Sequence, residues 1–389
     1  MTRLRFGVFF APYHEPRENP TLALERDLGT IALLDHLGFD EAWIGEHHST
    51  GWETVASPEM FLAVAAERTR HIRLGTGAIS LPYHHPLMVA DRIVLLDHLT
   101  RGRIEFGVGP GGHLSDAMTL GLDPGRLRDM QAESLAVIER LFLETRPFTH
   151  RSDWFELHDA VLQLRPYQDP HPPFATTSME SPWGMQLAGR HGAGVLSLAV
   201  GRGPTGPIDL KAHWTIAEEA AEEAGRTVDR RNWRLVVPIH LAESRAEAVE
   251  SIRGGAGRFQ LDYVTGTTGR PSPVEGPHEK VVDQMMERGA WVVGTPDDAI
   301  AAIETLVERS GGFGALLIWG QEWADSDAMR RSYELFARYV MPRFTGALVG
   351  LEESNRVVRA KTEDLHRERT EGVRVAQERF EEAHRRNDR

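Results

Sequence analysis

Histidine recurs in this chain just after short apolar runs. YHEP follows residues 5–10, EHHSTGWE begins at Glu46, YHHP ends at Pro86, and GGHLSD carries His113. Imidazole is the side chain best suited to moving protons near neutral pH. Most lone histidines are hydrogen-bonded structural groups. His36 and His98, inside helical patterns, read that way, and His84-His85 reads as shaping a loop before Pro86. His47 and His48 stand apart because Glu46 precedes them, and a neighbouring acid sets tautomer and pKa. Metal binding is the rival chemistry. Adjacent residues of an extended chain point to opposite faces, so His47 and His48 would not share one ion, and HExxH is absent. A metal-dependent barrel hydrolase stays open as an alternative.

Two glycine-rich stretches, GTGA (75–78) and GVGPGG (107–112), would let a ligand approach the backbone closely. Neither is a Walker loop or a dinucleotide fingerprint. Ser181-Pro182-Trp183-Gly184 reads as a helix start, with Ser181 as N-cap and Pro182 at the first helical position, where free N–H groups also suit a phosphate.

What positions these groups is a repeated strand–helix unit. Eight β-branched or aromatic runs read as strands: 5–10, 41–46, 72–79, 103–109, 173–178, 194–199, 233–242 and 314–320. They are apolar without clean alternation, as parallel strands covered by helices are. Between them lie helical stripes, for example Leu24, Leu28, Ile31, Leu34 and Leu37 before Gly38. The pattern predicts an α/β fold, a (β/α)8 TIM barrel over 1–345, with a doubly wound open sheet as the rival. In such a barrel the chemistry lies at the C-terminal strand ends, where the histidine clusters fall. Phe10, Tyr13, Trp52, His113 and Trp183 would then line a substrate pocket. Insertions near 145–172 and 254–290 interrupt the rhythm, and either could cover one end of the barrel. The second, with GGAG and TGTTGRPSP, reads as a mobile loop. Residues 346–389 read as a charged amphipathic helical tail broken around Gly372, its stripe suited to an oligomer contact.

Composition sets outer limits. The 389 residues are 41% hydrophobic, contain no cysteine and carry a net charge of −13. Disulfides and thiolate chemistry are excluded. The acidic balance argues against nucleic acid and anionic membrane surfaces. MTRLRFGVFF lacks the features of a signal peptide, and no apolar run is long enough for a membrane span, so a cytoplasmic location is expected.

Five pieces in order then carry a resemblance: FGVFF, LGFDEAWIGEHHS, IRLGTGAISLPYHHP, DRIVLLDHLTRGRIEFGVGPG and ESPWGMQLAGRHG. Over residues 3–345 the chain resembles the luciferase-like flavin monooxygenases, most closely the limonene 1,2-monooxygenase-like branch. The resemblance implies a barrel with an insertion, reduced FMN (FMNH2) from a separate NAD(P)H-dependent flavin reductase, and O2 as co-substrate. It implies hydroxylation, epoxidation or Baeyer–Villiger oxidation of a small or medium apolar molecule, terpenoid or polyketide-like; a homo-oligomer is expected from the stripe of the tail. By the same resemblance His47 is the catalytic residue, a general acid or base or a partner of the oxygenated flavin. Gly77-Ala78 is the pair with a cis peptide under the flavin ring, and Gly109 meets the flavin from the fourth strand. Glu180, Ser181 and Gly184 hold the phosphate and ribityl chain. Pro110 departs from the pattern, because luciferase has a phosphate-binding arginine there; Arg126 and Arg128 lie nearby in sequence. Leu198 replaces a luciferase tryptophan, so light emission is not expected. A silent flavin-binding subunit and a deazaflavin reductase are the family's other readings.

Overall fold

The computed structural model describes residues 3–11, 13–179, 181–198, 202–203 and 206–387. Eight parallel strands close into a barrel: β1 (Arg5–Phe10), β2 (Glu41–Ile44), β3 (Arg73–Thr76), β4 (Ile104–Gly109), β5 (Phe174–Ser178), β6 (Gly194–Ser197), β7 (Trp233–Val237) and β8 (Ala315–Gly320). Each pairs with its sequence neighbour, and β8 returns to β1 with Phe6 opposite Leu316. Outside run α1 (Pro20–Leu37), α2 (Pro58–Arg68), α3 (Pro86–Thr100), α4 (Leu127–Leu143), α5 (Trp183–His191), α6 (Leu210–Glu223), α7 (Pro296–Ser310) and α8 (Ser326–Leu335). Helix ends follow local chemistry. Asn19 caps the first N–H groups of α1, Gly38 ends it in the left-handed region, and Thr295 with Asp298 forms a capping box on α7.

The barrel interior is layered. At the N-terminal end Arg234 of β7 reaches across to Glu41 of β2 (Nε–Oε2 2.6 Å) and Glu105 of β4 (Nη2–Oε2 3.1 Å). Arg5 and Arg73 bond the same glutamates from the rim. Trp43 forms the next layer. Its indole N–H donates to Glu41, and the Arg234 guanidinium lies 4.7 Å from its ring centre. Glycine is needed beside that ring, since a Cβ at Gly75 would sit 2.3 Å from it. Above lie Phe9, Ala175, Leu196, Val236 and Leu317.

Two expected strands are broken. The 72–79 run splits at Gly77-Ala78, whose peptide is cis, and Ile79–Ser80 rejoins β4. The 233–242 run leaves the barrel at Pro238, which has no N–H for the ladder. Ile239–Leu241 instead pairs in parallel with Val292–Gly294.

The two insertions differ in what they do. Residues 148–151 and 156–160 form an antiparallel hairpin. It contacts α4 through His150 and Trp154, both bonded to Glu133, and contributes nothing to the cavity at the strand ends. The 254–290 segment is not a mobile loop. Helix Arg245–Arg258 continues into a π-helical stretch, Phe259–Thr267, and Val281–Glu287 is helical again. Its glycines serve close packing: a Cβ at Gly255 would meet the Trp323 carbonyl oxygen at 2.1 Å, and one at Gly257 would meet His278 at 2.6 Å. Phe259, Tyr263, Val281, Val282 and Met285 are buried in one cluster there.

Residues 342–389 form a second unit. Its helices, Val349–Ala360 and Thr362–Asn387, part at Lys361, while Gly372 lies inside the second, where a break was expected. Ion pairs one turn apart, such as Arg367–Asp364 and Arg385–Glu381, run along its exposed surface. Among the described residues no helix is long and apolar enough to cross a membrane.

Candidate active site

The loops after β1, β2 and β4 are tied together at the C-terminal mouth. Tyr13 and Glu53 form an isolated antiparallel bridge, and the His14 N–H donates to Trp52 O at 2.7 Å. The His47 N–H donates to Val55 O at 3.1 Å, closing the β2 loop on itself. The first carboxylate after β4, Asp116, accepts from the His48 N–H at 3.0 Å. These backbone ties leave His47 clamped between two acids. Its Nδ1 lies 3.0 Å from Asp116 Oδ2 and its Nε2 lies 2.7 Å from Glu53 Oε2. With both carboxylates ionised, both ring nitrogens donate, so the clamp favours imidazolium. Burial alone would lower the His47 pKa, but the Glu53 charge and the hydrogen bonds His47 donates to both acids outweigh it and raise it to about 9. Burial would raise Glu53, yet His47 and His113 hold its carboxyl well below the usual range.

A further layer supports this clamp. His113 Nε2 lies 2.9 Å from the Tyr263 hydroxyl and 3.3 Å from Glu53, and the two histidine rings are 4.0 Å apart. Asp116 also accepts from Ser49. His48 turns the other way, as alternation requires. Its Nε2 and that of His84 both reach Glu46 Oε1, at 2.8 and 2.6 Å, while Glu46 Oε2 accepts the Ser80 N–H. Glu46–His48–His84 and His47–Glu53–His113 each have ligand atoms close enough to hold a metal ion. Both groups are also closed by the hydrogen bonds just given.

His47 opens into a cavity of about 530 Å3 at the strand ends, a size usual for a cofactor or small-molecule site. One wall is backbone and small side chains: Gly77, Ala78, Gly109, Gly111 and Gly112. A Cβ at Gly112 would come within 3.3 Å of His47 Cε1, so glycine keeps the imidazole accessible. The opposite wall is apolar, with Phe259, Val264, Met285, Trp291 and Leu198. Trp319 also lines it, and its indole N–H is buried with no partner among the described residues. Ser181, Gly184, Trp183 and Arg128 close one end. Arg128 is exposed, and no ion pair or hydrogen bond involving it is found among the described residues. The backbone at Gly184 is fixed, since a Cβ there would meet Thr177 O at 2.1 Å. Helix α5 begins one residue later than expected, with Pro182 and not Ser181 at the cap.

The structure therefore brings together His47, Gly77, Ala78, Gly109, Ser181, Gly184, His113 and Trp183. Glu180 lies outside the described residues. Phe10, Tyr13 and Trp52 are not in this cavity. Strand alternation sends Phe9 to the mouth, while Phe10 and Tyr13 line a second cavity and Trp52 stacks on Tyr13. Sequence reading missed Glu53, Asp116 and Tyr263. The two acids share post-strand loops with His47 and His113, which was the available signal. Tyr263 lay inside the segment read as a loop.

Comparison with known proteins agrees with this architecture. The family model described as luciferase-like monooxygenase matches residues 4–312. The chain is 48% identical to 4-hydroxyprotoasukamycin monooxygenase of Streptomyces nodosus subsp. asukaensis, over 91% of this chain and 96% of that one. It is 46% identical to limonene 1,2-monooxygenase of Rhodococcus erythropolis, over 89% and 88%. Among solved structures it resembles the oxygenating constituent of 3,6-diketocamphane monooxygenase from Pseudomonas putida, a type II Baeyer–Villiger monooxygenase in complex with FMN. That match has a TM-score of 0.74 and 27% identity, covering 88% of this chain and 99% of that one.

Proposed function

Because the chain belongs to the luciferase-like monooxygenase family, we propose that it is the oxygenase component of a two-component system. It would use FMNH2 from a separate flavin reductase, together with O2. The single observation carrying this reading is His47, accessible at the mouth and held as imidazolium between Glu53 and Asp116. Reduced flavin, when bound, supplies the electrons that activate O2. The protein's part is to hold the flavin, keep water away and offer a proton at His47 Nε2 or Nδ1.

The residues present suit a flavin. The wall of Gly77, Ala78 and Gly109 admits a flat ring. Ser181, the start of α5 and Arg128 would hold the phosphate, so Arg128 supplies the cation that Pro110 does not. Arg128→Ala is expected to weaken FMN binding about tenfold or more, on the scale of one charge-assisted hydrogen bond. Riboflavin binding should stay unchanged; equal loss for both ligands, read by flavin fluorescence, would remove the phosphate role.

His47 as a donor has a pH signature. It is protonated below about 9, so turnover should fall as pH rises through that value. Asp116→Asn removes one of the two charges that raise the pKa, so the alkaline limb should move to lower pH. A limb that stays in place would show that another group titrates.

The substrate is a small or medium apolar molecule, terpenoid or polyketide-like. Phe259, Met285, Trp291, His113 and Trp183 would surround it. The exposed Met60, Val64, Met88, Leu95 and Leu99 of α2 and α3 suit a contact between copies. The test supplies FMNH2 and O2 and screens terpenes, ketones and aromatic polyketides by mass. Gain of one oxygen atom supports the reading. No substrate-dependent oxygen incorporation with any class, given demonstrated FMN binding, would overturn it.

A further inference from the structure

Both ring nitrogens of His47 face carboxylates, Nδ1 toward Asp116 and Nε2 toward Glu53. The ring atom that Gly112 leaves uncovered is the carbon between them, Cε1. A proton that leaves His47 is therefore replaced through one of the two acids.

The acids have different outlets. Asp116 is wholly buried and accepts from Ser49, whose hydroxyl meets that of Ser115 at 2.7 Å. Serine hydroxyls carry no spare proton near neutral pH. Glu53 Oε2, the atom that takes His47 Nε2 at 2.7 Å, also faces His113 Nε2 at 3.3 Å. Among the described residues, His113 is the one imidazole besides His47 that is bonded to either acid. Imidazole is the side chain that takes and gives protons near neutral pH. His113 is 9% exposed and lines the cavity, so its ring also borders the space that water enters.

His113 is itself held in place. Its carbonyl accepts the Asp116 N–H at 3.2 Å, so both partners of the clamp share one turn. The Tyr263 hydroxyl lies 2.9 Å from its Nε2, with the two rings edge to face. Tyr263 is buried against Trp52 and Phe259 and belongs to the π-helical stretch Phe259–Thr267. Helical turns of that kind are frequent at functional sites.

We propose that His113, oriented by Tyr263, is the positioning residue that returns the proton to His47 by way of Glu53. The His113 Nε2–H bond breaks as its proton passes to Glu53 Oε2. A proton leaving Glu53 makes the Nε2–H bond of His47, and water reloads His113. The carboxylate ends as it began, and no electrons are transferred. The use of this proton at the mouth rests on the oxygenase reading; the route itself does not.

The test uses the flavin-free, full-length protein. The two His47 ring N–H protons are observed by proton NMR, assigned by their loss in His47→Gln, and their exchange with water is measured by saturation transfer. His113→Gln keeps a neutral partner for Glu53 and Tyr263 but cannot pass a proton on. Its Nε2 proton on His47 is expected to exchange about tenfold or more slowly than in wild type, while the Nδ1 proton beside Asp116 keeps its rate. A purely structural role for His113 has the opposite sign, because a loosened clamp speeds both. His113→Ala should be as slow as His113→Gln, and added imidazole should restore its Nε2 rate while leaving His113→Gln slow. Wild-type Nε2 exchange in His113→Gln, faster exchange of both protons, or no restoration by imidazole in His113→Ala would each overturn the relay. No flavin or substrate enters these measurements, so the relay and the oxygenase reading fail separately.

Discussion

Replacing His47 with alanine is expected to lower oxygenated product by about 10²–10⁴-fold, the usual scale for a positioned proton donor, while FMN still binds. The expectation comes from the clamp. Asp116 and Glu53 occupy opposite nitrogens of the same ring, and both stay ionised because His47 is charged. His47 is thus a donor at neutral pH that cannot rotate without losing two charge-assisted bonds. Alanine also leaves buried Glu53 facing only His113 and Tyr263, which costs stability. His47→Gln separates the two effects, since glutamine keeps a neutral donor near the same acids. If His47 donates a proton, the glutamine variant folds and binds FMN yet remains slow. Single-turnover product analysis with FMNH2, alongside a thermal melt, reads both. Turnover within a few-fold of wild type in either variant would remove the proton-donor role.

Removing Arg234 should produce the largest loss of stability in the molecule. Arg234 is fully enclosed and carries the counter-charge for Glu41 and Glu105 inside the barrel. Arg234→Met leaves both carboxylates without it, a cost of about 3–5 kcal/mol, visible as a lowered urea midpoint. The pH dependence has a definite sign. Burial would raise the Glu41 pKa, but Arg234 and Arg5 together hold it well below the usual glutamate range. Its contribution is therefore present above the unfolded glutamate pKa and is lost as pH falls through the depressed folded value. In Arg234→Met the Glu41 carboxylate gains by taking up a proton, so the deficit against wild type should be greatest near neutrality and shrink on acidification. A deficit independent of pH would mean that the side chain matters by its volume alone.

The barrel was legible because parallel strands covered on both sides are written in apolar residues, whatever their register. All eight runs lie in the ring, and the two that break do so where Pro238 withholds a ladder N–H and at the Gly77-Ala78 peptide. The excursion was not legible because glycine has two uses. Gly254, Gly255 and Gly257 suggested a turn-rich loop, whereas Gly255 and Gly257 let a helix lie directly on Trp323 and His278. His47 could be picked out by its neighbour Glu46, but its partners are Glu53 and Asp116, and Asp116 is 69 positions away. Side-chain pairing across loops leaves no periodic trace. The aromatic residues after β1 and β2 failed for a related reason. Phe9 and Phe10 are equally apolar, and only the phase of the strand decides which one meets the mouth.

The parallel pairing of Ile239–Leu241 with Val292–Gly294 has an evolutionary corollary. Both ends of the aromatic excursion are stitched together at one spot on the barrel, so the chain leaves and re-enters through the same gate. Everything between, including Phe259, Tyr263, Met285 and Trp291, behaves as a cassette. Its contents can be rewritten without re-registering any of the eight strands. A lineage could thus change what the mouth accepts while inheriting His47, Glu53 and Asp116, provided the Tyr263 hydroxyl that meets His113 is kept, and a laboratory graft between relatives has natural splice points at residues 241 and 292.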